Sequence, residues 1–252
     1  MDTNKWNAHL YDAKHRFVSD YGNDVIKLLA PKQHEKILDL GCGTGDLANE
    51  LYRRGVNVVG IDHSSTMVEQ AKQKYPHIPF YVEDITNLPY VEEFDAIFSN
   101  AVLHWVKYPK SALDNMYKSL RVGGRLVAEF GGEGNVHELT NTLIQQVREA
   151  GYTFTDSNFP WYFPSIAEYT TFMEQVGFQV TYAHLYDRPT LLKDADGLRN
   201  WINMFAEDFM YDVPVMEREK IIERIEQALK GVLYQDDGWI ADYVRLQVKG
   251  VK

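Results

Sequence analysis

In the first half of the chain, short apolar runs alternate with stretches of helical spacing. Residues 36–40 form one such run and stop at a glycine cluster, and residues 46–54 then show helical spacing through Leu47 and Leu51. This predicts strand, tight turn, helix. A second run at 56–61 ends at Asp62 and is followed by Ser64, Ser65 and a helix-like stretch over 66–75. Further strands are predicted at 79–83, 94–99 and, after Gly123 and Gly124, at 125–130, with a helix near 110–120. Strands alternating with helices predict a parallel, doubly wound sheet. Right-handed crossovers bring the carboxyl ends of its strands, and hence a ligand, to one edge.

Past residue 134 the alternation is less regular. A helix is predicted over 136–150, then an aromatic loop over 152–163. Ser165 with Glu168 three residues on resembles a capping box opening a helix that reaches Val176. Residues 178–186 and 243–248 alternate as strands do, while 194–233 reads as helical with a break over 208–214. The first thirty residues read as one or two helices. These boundaries suggest an N-terminal helical cap segment (1–34), a ligand-binding core (35–134), and a C-terminal part (135–252). The C-terminal part completes the sheet at about 178–186 and 240–249, with helical cap insertions at about 151–176 and 190–236.

Composition narrows the class. With 26 Lys and Arg against 36 Asp and Glu, the chain carries a net charge of −10, and its longest basic run is Arg53-Arg54. Nucleic acid is normally met by a basic face, so none is expected as a partner. The lone Cys42 excludes an intrachain disulfide, residues 1–6 lack the apolar stretch of a signal peptide, and no run suits a membrane span. A soluble cytoplasmic protein is the expectation, either monomer or dimer, with no metal.

The strongest chemical signal is Asp39, Gly41, Gly43 and Gly45, placed between a strand and a helix. Glycines there let backbone turn sharply and approach a ligand, and the following helix presents free N–H groups. Dinucleotide enzymes place the third glycine one residue later, where this chain has Asp46. Asp62 lies about twenty residues past the first glycine, where an acid accepts from both ribose hydroxyls; a helix cap is its structural alternative. At the end of the third strand, Asp84 is a candidate acceptor for an adenine amino group, with the Ile85 N–H donating to the ring; a solvated acid at a strand end is its alternative. Asn100 ends the fourth strand.

Together these residues resemble the class I S-adenosylmethionine-dependent methyltransferases over roughly residues 35 to 131. The motifs follow in order: Asp39-x-Gly41-x-Gly43-x-Gly45, Asp62-x-Ser64-x-x-Met67, Asp84-Ile85, Asn100-Ala101 and Leu120-x-x-Gly123-Gly124. The resemblance implies an α/β fold: a Rossmann-like, seven-stranded, mostly parallel sheet with helices on both faces and a helical cap. It implies S-adenosyl-L-methionine as cofactor and S-adenosyl-L-homocysteine as product. Asp39 and the glycine loop would then face the methionine moiety, Asp62 the ribose, His63 and Met67 the adenosine, and Asp84 and Ile85 the adenine; a core position on its helix is the alternative for Met67. Asn100 and Ala101 would offer backbone groups near the methionine ammonium.

A closer similarity is to the branch that methylates trans-aconitate and malonyl-carrier protein. It rests on Trp6-Asn7, Leu10-Tyr11, Asn100-Ala101 and Trp105, and implies transfer to an oxygen of a small organic acid. Where that branch more usually carries glutamine, this chain has His104, a candidate general base whose alternative role is hydrogen bonding or packing. Tyr11, His104, Trp105, Trp161 and Phe163 are candidate pocket residues, and Arg16, Arg188 and Arg199 candidate grips for a carboxylate. The alternatives are a methyltransferase acting on RNA or protein, a nicotinamide-dependent oxidoreductase, and a cofactor-binding sensor without turnover.

Overall fold

The computed structural model describes residues 17–252, with side chains from Gly22 onward. The chain divides into two compact units. The first comprises residues up to Gly132, Pro164–Leu185 and Leu246–Lys252; the second comprises Glu133–Phe163 and Tyr186–Arg245. Among the described residues, no helix is long and apolar enough to cross a membrane.

In the first unit, helix α1 (Phe17–Leu29) precedes β1 (Lys36–Leu40), α2 (Asp46–Arg53), β2 (Asn57–Asp62), α3 (Ser65–Lys74), β3 (Phe80–Val82), β4 (Phe94–Asn100), α4 (Pro109–Ser119) and β5 (Leu120–Gly131). After α5 (His137–Glu149) of the second unit come α6 (Ile166–Val176) and β6 (Gln179–Asp187); β10 (Val244–Val251) ends the chain. The seven-stranded sheet has the order β3-β2-β1-β4-β5-β10-β6. Neighbours from β3 through β5 run parallel. β10 runs against β5: Lys252 exchanges backbone hydrogen bonds with Gly123 and Gly124, while Leu246 lies beside Gly132 at the other end.

Ile37, Ala96, Phe98 and Val127 pack with Val25, Ile26 and Leu29 of α1 and Leu51 of α2 on one side of this sheet. The alternating neighbours Leu38, Ile97, Leu126 and Ala128 are equally buried. Side chains alternate across a strand, so both faces are covered, as parallel sheets require. Strand order reverses where β1 lies between β2 and β4, and it is outside the carboxyl ends at such a switch that ligands bind.

Two segments expected in a cap belong to the first unit. α1 packs on β4 and β5, and Arg125 anchors its end by donating to the Leu29 and Ala30 carbonyls and, bidentately, to Glu35. α6 packs on α4, its buried Tyr169 meeting Phe130 with ring centroids 4.7 Å apart. Its start is capped by Ser165, whose Oγ accepts from the Glu168 N–H. β5 begins at Leu120 rather than 125, because Gly123 and Gly124 sit in a bulge within the strand: the β4 register shifts between Phe94 and Ala96. Residues 1–16 lie outside the described residues.

The second unit contains α5, β7 (Thr190–Leu192), α7 (Gly197–Phe205), α8 (Val215–Leu233), β8 (Tyr234–Gln235) and β9 (Gly238–Ala241). α5 and α8 pack together, each contributing a buried stripe: Leu139, Leu143 and Val147, and Ile221, Ile225 and Leu229. The helical reading of 194–233 matches α7, the short turn over Glu207–Met210 and α8, but strands flank it at both ends. β7, β9 and β8 form a small antiparallel sheet, with a hairpin turning through Asp236 and Asp237, both at positive φ. Strands of two to four residues are too short to show a period of two. The helical break falls at 206–214, where a short turn over Glu207–Met210 leads to Pro214 ahead of α8.

Candidate functional site

The carboxyl ends of β1, β2 and β3 lie side by side. The Gly43 N–H donates to Asp62 Oδ2 at 2.9 Å, and the Glu83 N–H donates to the Asp62 carbonyl at 3.1 Å. Gly41 and Cys42 both donate to the Ile61 carbonyl. The glycine loop, Asp62 and the strand end bearing Asp84 therefore form one group, as the sequence motifs require.

Two of the glycines differ in what they exclude. Gly41 has φ +77°, and a Cβ there would lie 2.2 Å from the Val102 side chain, so protein already occupies the space. Gly43 has φ +53°, and a Cβ there would meet nothing within 4 Å among the described residues. No described residue therefore covers the backbone at Gly43. Gly43→Ala is expected to cost the fold only about 1–2 kcal/mol through its left-handed backbone, yet to weaken adenosylhomocysteine binding at least tenfold. Gly41→Ala, forced against Val102, should lose stability first. Thermal melts and calorimetric titration of both variants check this, and unaltered binding by Gly43→Ala overturns it.

Asp62 is not the helix cap. Ser64 caps α3, accepting from the Met67 N–H at 3.4 Å, and Asp62 Oδ1 accepts from the Ser64 N–H at 2.9 Å. Burial raises the Asp62 carboxyl, opposed by those Ser64 and Gly43 bonds. Asp39 is more extreme. It is 2 % exposed, and its Oδ2 has no hydrogen-bond partner among the described residues. Burial, with the Asp62 charge adding to it, pushes its carboxyl up to about 8. The same burial and the same two acids hold the Cys42 thiol well above its usual range. An acid buried without a counter-charge is costly, and its position beside the glycine loop suits a cationic ligand. The ammonium and sulfonium of S-adenosylmethionine fit that requirement. Asp46 points elsewhere in function: it accepts from Tyr75 Oη at 2.5 Å and pairs with Lys74 at 2.9 Å.

The other expected residues are placed unevenly. His63 is exposed at the end of β2. Met67 is buried. Asp84 is exposed; its Oδ1 accepts from the Thr86 N–H and hydroxyl and caps a short turn over Ile85–Asn87. Slight burial raises its carboxyl, but the Thr86 bonds outweigh this and leave it lowered. Asn100 is buried at the end of β4, level with Glu129 of β5. Ala101 follows in left-handed backbone, φ +61°, its N–H donating to the Glu129 carbonyl. Strained backbone of this kind concentrates at functional sites.

His104 and Trp105 stand in the short turn Leu103–Trp105 after β4. Trp161 and Phe163 belong to the second unit. There Trp161 is buried among Phe163, Trp201 and Phe209, with ring centroids 5.5–5.8 Å apart; its ring is core. Tyr11 and Arg16 lie outside the described residues. Arg199 is held by Glu219 and Glu226, which removes it as a grip for a ligand. Arg188 lies in the second unit, its backbone N–H donating to the Tyr243 carbonyl.

Sequence reasoning missed Glu129, an acid 1 % exposed whose Oε2 accepts from Gln247 Nε2 at 2.7 Å. The available signal was a carboxylate inside the apolar run 126–130. A cavity of about 600 Å³ in the first unit is lined by Lys36, Tyr52, His77 and Tyr90 and includes none of the glycine-loop residues.

Residues 38–128 match a family described as a methyltransferase domain. Across 98% of both chains, the protein is 35% identical to C70.08c, a methyltransferase of Schizosaccharomyces pombe. It is 27% identical to the trans-aconitate 2-methyltransferase of Enterobacter sp. strain 638, over 89% of this chain and 88% of that one. Among solved structures, the YcgJ protein of Bacillus subtilis shares the fold with a TM-score of 0.64 at 17% identity, covering 92% of this chain and 97% of that one.

Proposed function

The chain belongs to the class I S-adenosylmethionine-dependent methyltransferases, and from that premise we propose that it methylates a carboxylate oxygen of a small organic acid. The observation that carries the site is that, among the described residues, the buried Asp39 carboxyl is uncompensated and the Gly43 backbone uncovered. The acceptor class is supported by the relationship to a trans-aconitate methyltransferase over most of both chains. The net charge of −10 argues against a polynucleotide acceptor.

When bound, the cofactor supplies a methyl group on cationic sulfur: an oxygen lone pair forms the new C–O bond as the C–S pair returns to sulfur. The protein's tasks are alignment and exclusion of water. In this reading Asp39 and the glycine loop hold the methionine end, Asp62 the ribose hydroxyls, and Asp84 with the Ile85 N–H the adenine. His63 borders the adenosine, backbone at Asn100 and Ala101 receives the ammonium, and Trp105 bounds the acceptor. A carboxylic acid with a pKa near 4 is already ionised at pH 7, so the transfer moves no proton. The lone, buried Cys42 fits a cytoplasmic enzyme.

The test is tritium transfer from labelled cofactor to trans-aconitate and to pooled metabolites. Label that alkali releases as methanol is the expected result, since esters hydrolyse and methyl ethers or amines do not. Alkali-stable label on every product overturns the carboxylate reading.

A further inference from the structure

The cavity of about 600 Å³ in the first unit includes no residue of the glycine loop, and the fold leaves it open for a specific reason. Parallel strands are ordinarily covered on both faces. Register places Lys36 of β1, Asn57 and Val59 of β2 and Tyr81 of β3 on one face, since Lys36 pairs with Asn57 and Ile61 with Tyr81. The opposite face, with Val58 and Phe80, belongs to the packed core. On the Tyr81 face the chain between Val82 and Phe94 forms only the short turn Ile85–Asn87, where a crossover helix would ordinarily lie. Val59 is left half-buried there and Tyr81 48 % exposed.

Aromatic side chains wall this floor. Tyr52 of α2 meets His77 with ring centroids 4.4 Å apart, and Tyr90 is set edge-on against Phe94 at 5.1 Å. Tyr52, Tyr81 and Tyr90 all line the cavity, together with two carboxylates, Glu83 and Glu93, against the single ammonium of Lys36. Lys36 is committed to Glu93 at 2.5 Å and lies over the Phe94 ring, so Glu83 supplies the net charge. Burial pushes the Tyr90 hydroxyl up to about 12, and the charges of Glu83 and Glu93, with Tyr81, push the same way. Both carboxylates are therefore felt at the cavity wall.

Aromatic faces beside a carboxylate attract a cation. A compact ammonium would exchange its water shell for one carboxylate, whereas an alkylated ammonium holds water weakly and gives its methyl groups to the rings. The volume suits a small molecule, whose sites commonly enclose about 300–1,000 Å³.

We propose that this cavity is a second ligand site, separate from the cofactor's, which takes a small organic cation bearing an alkylated ammonium, held by the rings of Tyr52, Tyr81 and Tyr90 and the carboxylate of Glu83. The two sites meet at the tip of β3, where the Glu83 N–H donates to the Asp62 carbonyl and Asp84 follows in the chain. The cofactor site is therefore kept filled while the cavity is probed.

The test uses the full chain, carrying ¹³C in its tyrosine rings and saturated with adenosylhomocysteine. It is titrated with choline chloride and, separately, with choline's neutral carbon isostere, in which a tert-butyl group replaces trimethylammonium. Choline should shift the ring signals of Tyr52, Tyr81 and Tyr90 saturably, and the isostere should bind at least about tenfold more weakly. Tyr81→Ala should lose at least about tenfold in choline affinity, and Glu83→Gln about threefold or more, both with adenosylhomocysteine affinity retained. Tyr52→Ala, on the exposed surface of α2, repeats the tyrosine test away from the sheet, so a misfolded Tyr81 variant does not leave the result open. Equal binding of choline and its isostere, shifts confined to other tyrosines, or no saturable shift overturns the proposal. So does a choline affinity that Tyr52→Ala and Glu83→Gln leave unchanged.

Discussion

Asp39→Asn is expected to melt at a higher temperature than the wild-type protein while binding cofactor at least tenfold more weakly. The Asp39 carboxyl rises to about 8 in the folded protein, against about 4 in the unfolded chain. Between those values the folded state holds a proton that the unfolded state releases, so this group's contribution to stability is greatest below about pH 4. It falls as pH rises and levels off above about pH 8. At pH 7 the penalty is on the order of a few kcal/mol. A neutral amide carries no such penalty, and for a chain of this size the gain corresponds to about 5 °C or more. Scanning calorimetry of both proteins without cofactor, at pH 5 and pH 8, should show the wild type losing stability with pH more steeply than the variant. The amide also lacks the charge that attracts the ammonium, hence the weaker binding. A variant no more stable than wild type would mean that Asp39 is ionised and compensated in the fold.

Asp62→Ala combines two losses. The ribose hydroxyls lose their acceptor, and the Gly43 and Ser64 N–H groups lose theirs, since each is bound by a different oxygen of the same carboxylate. The first effect lowers cofactor affinity by about ten- to a hundredfold, at roughly 1.4 kcal/mol per tenfold. The second removes one of the loop's ties to β2, leaving those of Gly41 and Cys42 to the Ile61 carbonyl, and costs about 1–3 kcal/mol of stability. Asp62→Asn retains one acceptor oxygen and should fall between the two. Calorimetric titration with adenosylhomocysteine measures the affinities, and an Asp62→Ala protein that binds like wild type would remove Asp62 from the site.

Most of the first unit was legible in the sequence because its strands are apolar runs punctuated by glycine and acid, and because ligand residues in such sheets recur at strand ends. The match of Gly43, Asp62 and Asp84 to three neighbouring strand tips followed from that rule alone. Three features were not legible. The bulge at Gly123 and Gly124 looked like a turn, since both use glycine. The assignment of 164–176 to the first unit depends on Tyr169 meeting Phe130, a contact with no signature in local periodicity. The hairpin at Asp236 and Asp237 carried a usable signal in the Gly238 that follows, but its strands were too short to confirm it.

Local pattern and spacing by themselves determined the order of strands and helices and the place of the glycine turn, because backbone conformation and strand alternation are short-range properties; the kind of ligand was implied by the family resemblance of the motifs. Only the tertiary structure decided the protonation chemistry. Asp39 becomes a near-neutral acid through burial beside Asp62, and His104 accepts at Nδ1 from a backbone N–H twenty-seven residues away. Solvation and hydrogen-bond partnership are set by what the folded chain brings near a group, and a residue's type and position along the chain do not encode them.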